Sequence, residues 1–306
     1  MLYPLKLQPL LQERLWGGNK LTQTFACQAR PGMLAGELWA VADHPHGVTT
    51  VVNGVLGGLS LQQILQDQGA AVSGINLAGQ TFPIMVKILD ADQDLSVQVH
   101  PCDAYARETE HERGKAELWY IIHAEAGAKI IYGLRPGVTR QDFEQHIDSP
   151  AILQCLNSVE VRTGDAFYIP PGLVHALGKG ILAAEVQQNS DVTYRIYDYG
   201  RRDQTGNLRK LHLDKALQAI DYTCVPPKVN LAKGFRCPYF TVDLVEISTG
   251  RVAEQIHGME IHLCLQGEGE INGVLIKAGE AVILPACLEE VRITGRFTSL
   301  RTRLPS

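Results

Sequence analysis

One interval, Gly164-x5-Pro170-x-Gly172-x2-His175, constrains the fold of this chain more than any other. A glycine opens an apolar run, Pro170-Pro171-Gly172 makes a tight turn, and the chain comes back with a histidine aimed into the space the strand has just lined. Such a unit belongs in a turn-rich β protein. Short runs rich in β-branched and aromatic residues at 82–89, 118–122, 129–132, 166–169 and 193–197 lie between turn signals, a spacing that predicts a sandwich or barrel. Helices are expected to be few. Ser60 to Gln63 reads as a capping box opening a helix with Leu61, Ile64 and Leu65 inward and Gly69 as its stop. Thr139 to Asp142 opens a second, and residues 214–220 form a third.

A chain of 306 residues has room for two modules. The boundary is expected in the Pro-containing stretch 222–229, dividing a unit of residues 1–224 from one of residues 225–306. The two share an echo: Gly164-Asp-Ala followed by three apolar residues and Pro170, against Gly279-Glu-Ala followed by three apolar residues and Pro285. After Pro285 come Ala-Cys-Leu-Glu-Glu290, with no glycine and no histidine at the matching positions. The second unit is therefore expected to be a metal-free β module. A net charge of -5 argues against a general nucleic-acid binder. No apolar run approaches the roughly 18 residues of a membrane span, and the N-terminus reads as mature, folded sequence. The 7 cysteines are odd in number and widely spaced without a C-x-x-C, which fits reduced thiols in a cytoplasm.

The Gly164–His175 spacing resembles the second motif of the cupin superfamily, whose histidine ligates a metal. The first motif of that superfamily sets two ligands at i and i+2 on one strand, on one face, and a carboxylate downstream. Here Gln98 and His100 supply the pair, closing the alternation Leu95-x-Val97-x-Val99, and Glu117 opens the next apolar run. The resemblance implies double-stranded β-helix (jelly-roll) modules and one site built from Gln98, His100, Glu117 and His175. Two imidazoles, a carboxylate and an amide oxygen suit zinc; by ligand type alone iron, manganese and cobalt are also compatible. His44 and His46 read as part of a turn, and the remaining histidines as structural or exposed.

Longer stretches are more specific. Leu15-Trp-Gly-Gly18, Gly36-Glu-Leu-Trp39, Ser96-Val-Gln-Val-His-Pro101, Lys115-Ala-Glu-Leu-Trp-Tyr120, Pro170 to Leu177 and Glu185 to Asp198 resemble the type I mannose-6-phosphate isomerases, in their short bacterial form. The interval between Glu117 and His175 is too short for the helical insertion of the long forms. Short forms similar to this chain can carry lysine where Gln98 stands. The resemblance implies reversible conversion of mannose 6-phosphate and fructose 6-phosphate through a cis-enediol, one Zn2+ per chain bound by Gln98, His100, Glu117 and His175, and Arg195 as the catalytic arginine. Glu185 is the candidate proton shuttle, with a metal-bound water as the competing base. Arg195 is permanently charged and suits an electrostatic clamp or phosphate partner, not a base. Ser96, Lys87 and Lys115 are candidate substrate-binding residues, Ser96 because it shares strand parity with Gln98 and His100. Asp191 is a candidate for orienting Arg195, an Asn-Ser-Asp turn being the alternative. The implied partner is a small sugar phosphate, without nucleic acid or membrane, acting on a monomer or small homo-oligomer. The rival readings are a metal-dependent cupin oxygenase and a non-catalytic sugar-phosphate-binding cupin.

Overall fold

A computed structural model describes residues 2–25, 27–77, 79–203, 205–248 and 251–305, with no account of the side chains at 251–255. Three large antiparallel sheets form stacked layers. The middle layer has six strands in the order Ala166–Ile169, Glu117–Ala124, Ile181–Gln188, Ile84–Ala91, Ala35–Val41 and Leu10–Gly18. Its central strands are buried at every position, including all eight residues of Ile84–Ala91, because both faces are covered. That explains why these strands lack a regular apolar–polar alternation: their few polar residues, Lys87 and Glu185 among them, are buried as well. One face sends Leu89, Trp119 and Ile121 into a core shared with Leu95, Ile130 and Leu177. The other sends Ile88, Val86 and Leu118 toward Ile261, Leu263 and Ile283.

The outer layer that completes the first core has five strands, ordered Leu156–Glu160, Lys129–Leu134, His175–Leu177, Val97–Val99 and Tyr194–Tyr197. Its far side is sealed by Phe143, Ile152 and Ala216 from helical segments. The third layer is the nine-stranded sheet of the C-terminal part, which has a second core of its own around Ile276, Val282 and Phe297. It also takes in two strands from far upstream. Leu5–Gln8 pairs with Ala281–Leu284 on one side and Thr50–Val51 on the other.

The expected fold class, mainly β with a few short helices, is the observed one. The expected strands are present with ends shifted by a few residues. The capping box at Ser60 forms, its side chain and that of Gln63 bonding reciprocally to the backbone. The helix it opens runs past Gly69 to Ser73 and ends at Gly74 in the left-handed region, after a kink at Gln68. The expected stop is seen as a break rather than the end: the helical path is interrupted at Gln68, next to Gly69, and a second short helical stretch carries buried Val72 on to Gly74.

Candidate metal centre and adjoining cavity

The Gly164–His175 interval touches every member of the site. Its strand pairs with the one that starts at Glu117, Ile169 standing opposite that residue. Its turn is fixed by Gly172, whose N–H donates to the His100 carbonyl at 2.9 Å. Gly172 has φ +90, and a Cβ there would meet Asp221 at 2.9 Å, so no other residue fits without strain. The chain then enters the five-stranded sheet at His175, in register with Gln98, which is in register with Arg195 on its other side. Laterally registered residues project from the same face, so His175, Gln98 and Arg195 form one row across three strands.

His100, Glu117 and His175 are essentially inaccessible, at 0%, 1% and 0% exposure. Their candidate ligand atoms all lie within 4.8 Å of one another. His100 Nε2 is 3.2 Å from Glu117 Oε1 and His175 Nε2 is 3.5 Å from Glu117 Oε2. Each ring is oriented from behind: His100 Nδ1 donates to the Val192 carbonyl and His175 Nδ1 to the Leu173 carbonyl, both at 2.9 Å. A carbonyl only accepts, so each Nδ1 carries its proton and each Nε2 presents a lone pair. Burial, reinforced by Lys115, pushes His100 down to about 3, and burial lowers His175 as well. Two neutral imidazole lone pairs thus face a carboxylate, and Glu117 Oε2 is buried with no hydrogen-bond partner. Lys115 answers only Glu117 Oε1 and His100 Nε2, so Glu117 Oε2 and the His175 Nε2 lone pair are left as acceptor against acceptor, which a bound cation would relieve. The donor set fits a divalent metal of the zinc type.

Gln98 stands at the edge of this cluster. Its amide Nε2 lies 3.3 Å from His175 Nε2, and its oxygen accepts from the Ser96 hydroxyl at 3.4 Å. Lys115 places its ammonium 2.8 Å from Glu117 Oε1 and 3.4 Å from His100 Nε2.

From the cluster opens a cavity of about 340 Å3 whose lining includes Ser96, Lys87, Lys115, Glu185, Asp191 and Arg195. All six expected catalytic and substrate-binding residues therefore meet in one space. On the middle sheet, Glu185 is in register with both Trp119 and Lys87. Its carboxylate accepts from the Trp119 indole at 2.6 Å and pairs with Lys87 at 2.8 Å. Burial, followed by the neighbouring Glu117 charge, raises the pKa of Glu185 against the opposing pull of Lys87. Burial works against the Lys87 charge, but Glu185, Glu37 and Glu117 outweigh it and hold the ammonium protonated.

Two details differ from expectation. Asp191 hydrogen-bonds His46 at 2.8 Å, and no hydrogen bond or ion pair joins it to Arg195 among the described residues, only its charge acting on that guanidinium. The Arg195 guanidinium instead donates from Nη1 to the Lys210 carbonyl at 3.1 Å. The reason is geometric: Asp191 precedes the strand Tyr194–Tyr197 and its exposed side chain turns to the rim. His46 and His212, read as turn and structural residues, also line the cavity, as do Arg14, Glu37 and Arg209. Glu37 could have been found: it is an acid inside the wholly buried strand Ala35–Val41, and a buried charge needs a partner. Its partners are Arg14 at 2.9 Å and Trp39 at 2.5 Å. Arg209 lies in an ordinary charged loop and gave no such signal.

Fold and site together define a cupin with a buried histidine–carboxylate cluster that could hold a metal ion, beside a charged cavity. Residues 4–112 match the family model for the catalytic domain of type I phosphomannose isomerase. Mannose-6-phosphate isomerases of Bacillus subtilis and Streptococcus mutans are 39% and 36% identical, over 95% and 96% of this chain and 96% of each relative. The crystal structure of a Bacillus subtilis mannose 6-phosphate isomerase superposes with a TM-score of 0.90 at 33% identity, covering 98% of this chain and 99% of that one. A putative mannosephosphate isomerase from Archaeoglobus fulgidus shares the fold, with a TM-score of 0.82 at 21% identity over 99% and 98% of the two chains. The chain belongs to the type I phosphomannose isomerase family.

Proposed function

We propose that this protein is a zinc-dependent aldose-ketose isomerase that interconverts mannose 6-phosphate and fructose 6-phosphate. The observation that carries the reading is the buried convergence of His100, Glu117 and His175, of which Glu117 lines a cavity whose wall bears arginines and lysines. His100, Glu117 and His175, with Gln98 as fourth donor, would hold one zinc per chain. When bound, zinc supplies redox-silent Lewis acidity toward the sugar oxygens.

The reaction moves a proton from C2 of the open-chain aldose to C1, while the hydroxyl proton on O2 moves to O1. Glu185 suits the carbon-to-carbon transfer: it is buried in the cavity wall, and its raised pKa brings it nearer the range in which a carboxyl both takes and returns a proton. Trp119 and Lys87 fix its orientation. Lys115, beside Glu117, places positive charge where the enediolate oxygens develop, and Arg195, in the row with Gln98, is the permanently charged arginine that clamps the substrate through its phosphate. Ser96, Lys87 and Asp191 complete the proposed substrate contacts.

The same proposal extends to the rest of the molecule. Residues 1–224 form the metal-binding unit and 225–306 a metal-free unit, working in the cytoplasm as a monomer or small homo-oligomer on a free sugar phosphate. All 7 cysteines being free fits that compartment. The test is direct. Protein carrying one zinc per chain by elemental analysis should convert fructose 6-phosphate to mannose 6-phosphate and lose this activity on chelation. Absence of turnover at full zinc loading overturns the assignment.

A further inference from the structure

The cations of the cavity wall are not all neutralised, and the surplus is localised. Lys115 is matched by Glu117 and Lys87 by Glu185, each at 2.8 Å. Arg14 is matched by Glu37 at 2.9 Å, while Asp191 is occupied by His46 at 2.8 Å. Arg195 has no carboxylate partner among the described residues, and Arg209 shares Asp198 with Arg201. Arg195 gives Nη1 to a backbone carbonyl, and its Nε is buried without a hydrogen-bond partner. Arg209 reaches Asp198 through Nη1 alone, at 3.3 Å, and that carboxylate is already engaged by Arg201 at 2.5 Å. Its Nε and Nη2 make no hydrogen bond among the described residues, and Arg209 lines the cavity.

The loop that carries Arg209 is held in place rather than left loose. Its N–H donates to the Arg201 carbonyl at 3.2 Å, Arg202 bridges to Leu208, and Arg201 Nη1 donates to the Asp94 carbonyl at 2.7 Å. Asp94 lies two residues before Ser96, so these bonds hold the loop against the Ser96 end of the cavity. Ser96, Gln98 and His100 alternate along the chain, with His100 at the metal cluster, so the Ser96 end is the one remote from that cluster. Burial weakens the charged form of both arginines. Arg209 adds to this at Arg195, and Arg201 and Arg14 add to it at Arg209, where Asp198 opposes them. An anion between the two guanidiniums relieves both.

We propose that Arg209 is a phosphate-binding residue that, with Arg195, holds the phosphate of the substrate at the Ser96 end of the cavity and so directs C1 and C2 toward Glu185 and the metal cluster. A phosphate monoester carries about -1.5 to -2 charges near neutral pH and three acceptor oxygens, which suits two guanidinium forks. The inference rests on the sugar-phosphate isomerase reading, and the experiment separates the two. Zinc-loaded wild type, Arg209→Gln and Arg209→Lys are compared in steady-state kinetics with mannose 6-phosphate. Inorganic phosphate serves as competitive inhibitor and, independently of turnover, as titrant in calorimetry; melting temperature checks folding.

The expected result for Arg209→Gln is a KM raised at least tenfold with kcat changed by less than threefold. The inhibition constant and calorimetric Kd for inorganic phosphate should rise by a similar factor, and Arg209→Lys should recover part of each. If wild type turns over the sugar phosphate while Arg209→Gln keeps KM and the phosphate constants within twofold, Arg209 is not the phosphate residue and the isomerase reading stands. A fall in kcat with unchanged KM overturns the proposal equally. Should Arg209→Gln fail to fold, the Lys variant decides: KM and the phosphate constants must then rise together. Wild type that binds phosphate through Arg209 but never isomerises the sugar sinks the activity, not the anion site.

Discussion

Lys87 lies between two buried carboxylates, 2.8 Å from Glu185 and 3.9 Å from Glu37, on a strand with no exposed position. Its charge is therefore structural as well as functional. Lys87→Met would leave the buried Glu185 carboxylate without its cation, while Glu37 keeps Arg14; removal of one partner of a buried pair costs about 3–5 kcal/mol. The variant is expected to melt markedly lower than wild type in a thermal scan and, where still folded, to show a raised KM for the sugar phosphate. An unchanged melting temperature would mean that water reaches the pair. Glu185→Gln makes the complementary test, because an amide of the same shape still accepts from the Trp119 indole. It cannot shuttle a proton, so kcat should fall by about 10²–10⁴ with zinc content retained. Full activity in a zinc-replete Glu185→Gln enzyme would move the proton transfer to another group.

The secondary-structure elements show which parts of this arrangement sequence could reveal. Local chemistry was readable wherever one short segment carried its own geometric demand. The Gly164–His175 interval needed a left-handed glycine at 172 and a returning histidine, and the Ser60–Gln63 box named its own helix start. The convergence of His100, Glu117 and His175 was legible for the same reason. Residues that reach the cavity from distant loops were not. His46 sits in a short turn, and Arg209 is placed by hydrogen bonds to Asp198 and Arg201 that no periodicity encodes. The helix Asp103–Glu110 was also missed: it follows His100-Pro101 directly, has no side-chain cap at Cys102, and buries only Ala106. The Ser60 cap is a clean case to measure. Its hydroxyl accepts from the Gln63 N–H at 3.2 Å while Gln63 returns a bond to the Ser60 N–H at 2.9 Å. Ser60→Ala should cost about 1 kcal/mol in denaturant unfolding and leave isomerase kinetics untouched, since the helix lies on the far side of the middle sheet. A loss of catalysis would show that this helix communicates with the cavity.

For the whole molecule, the division proposed between residues 1–224 and 225–306 is crossed by a strand. Leu5–Gln8 belongs by sequence to the first unit but completes the sheet of the second, Leu7 standing opposite Ala281 on one side and Val51 on the other. Leu7 is 1% exposed, and Leu5, Leu7 and Leu38 share one core cluster with Ile261, Leu263 and Ile283. The helix from Ser60 adds a second tie, the Ala286 N–H donating to the Val72 carbonyl at 2.8 Å. An apolar core cluster shared by the two units, together with main-chain bonds between them, should make them unfold as one. The three tryptophans, at 16, 39 and 119, all lie in the first unit, so their fluorescence reports it separately, while far-UV circular dichroism reports both. In wild type the two transitions are expected to coincide. Leu7→Ala removes a side chain packed between the units and should cost about 2–5 kcal/mol, lowering both transitions together. If the variant instead lowers the dichroism transition and leaves the tryptophan transition in place, the units are energetically separate, and the N-terminal strand is a clasp on the second sheet rather than part of a shared core.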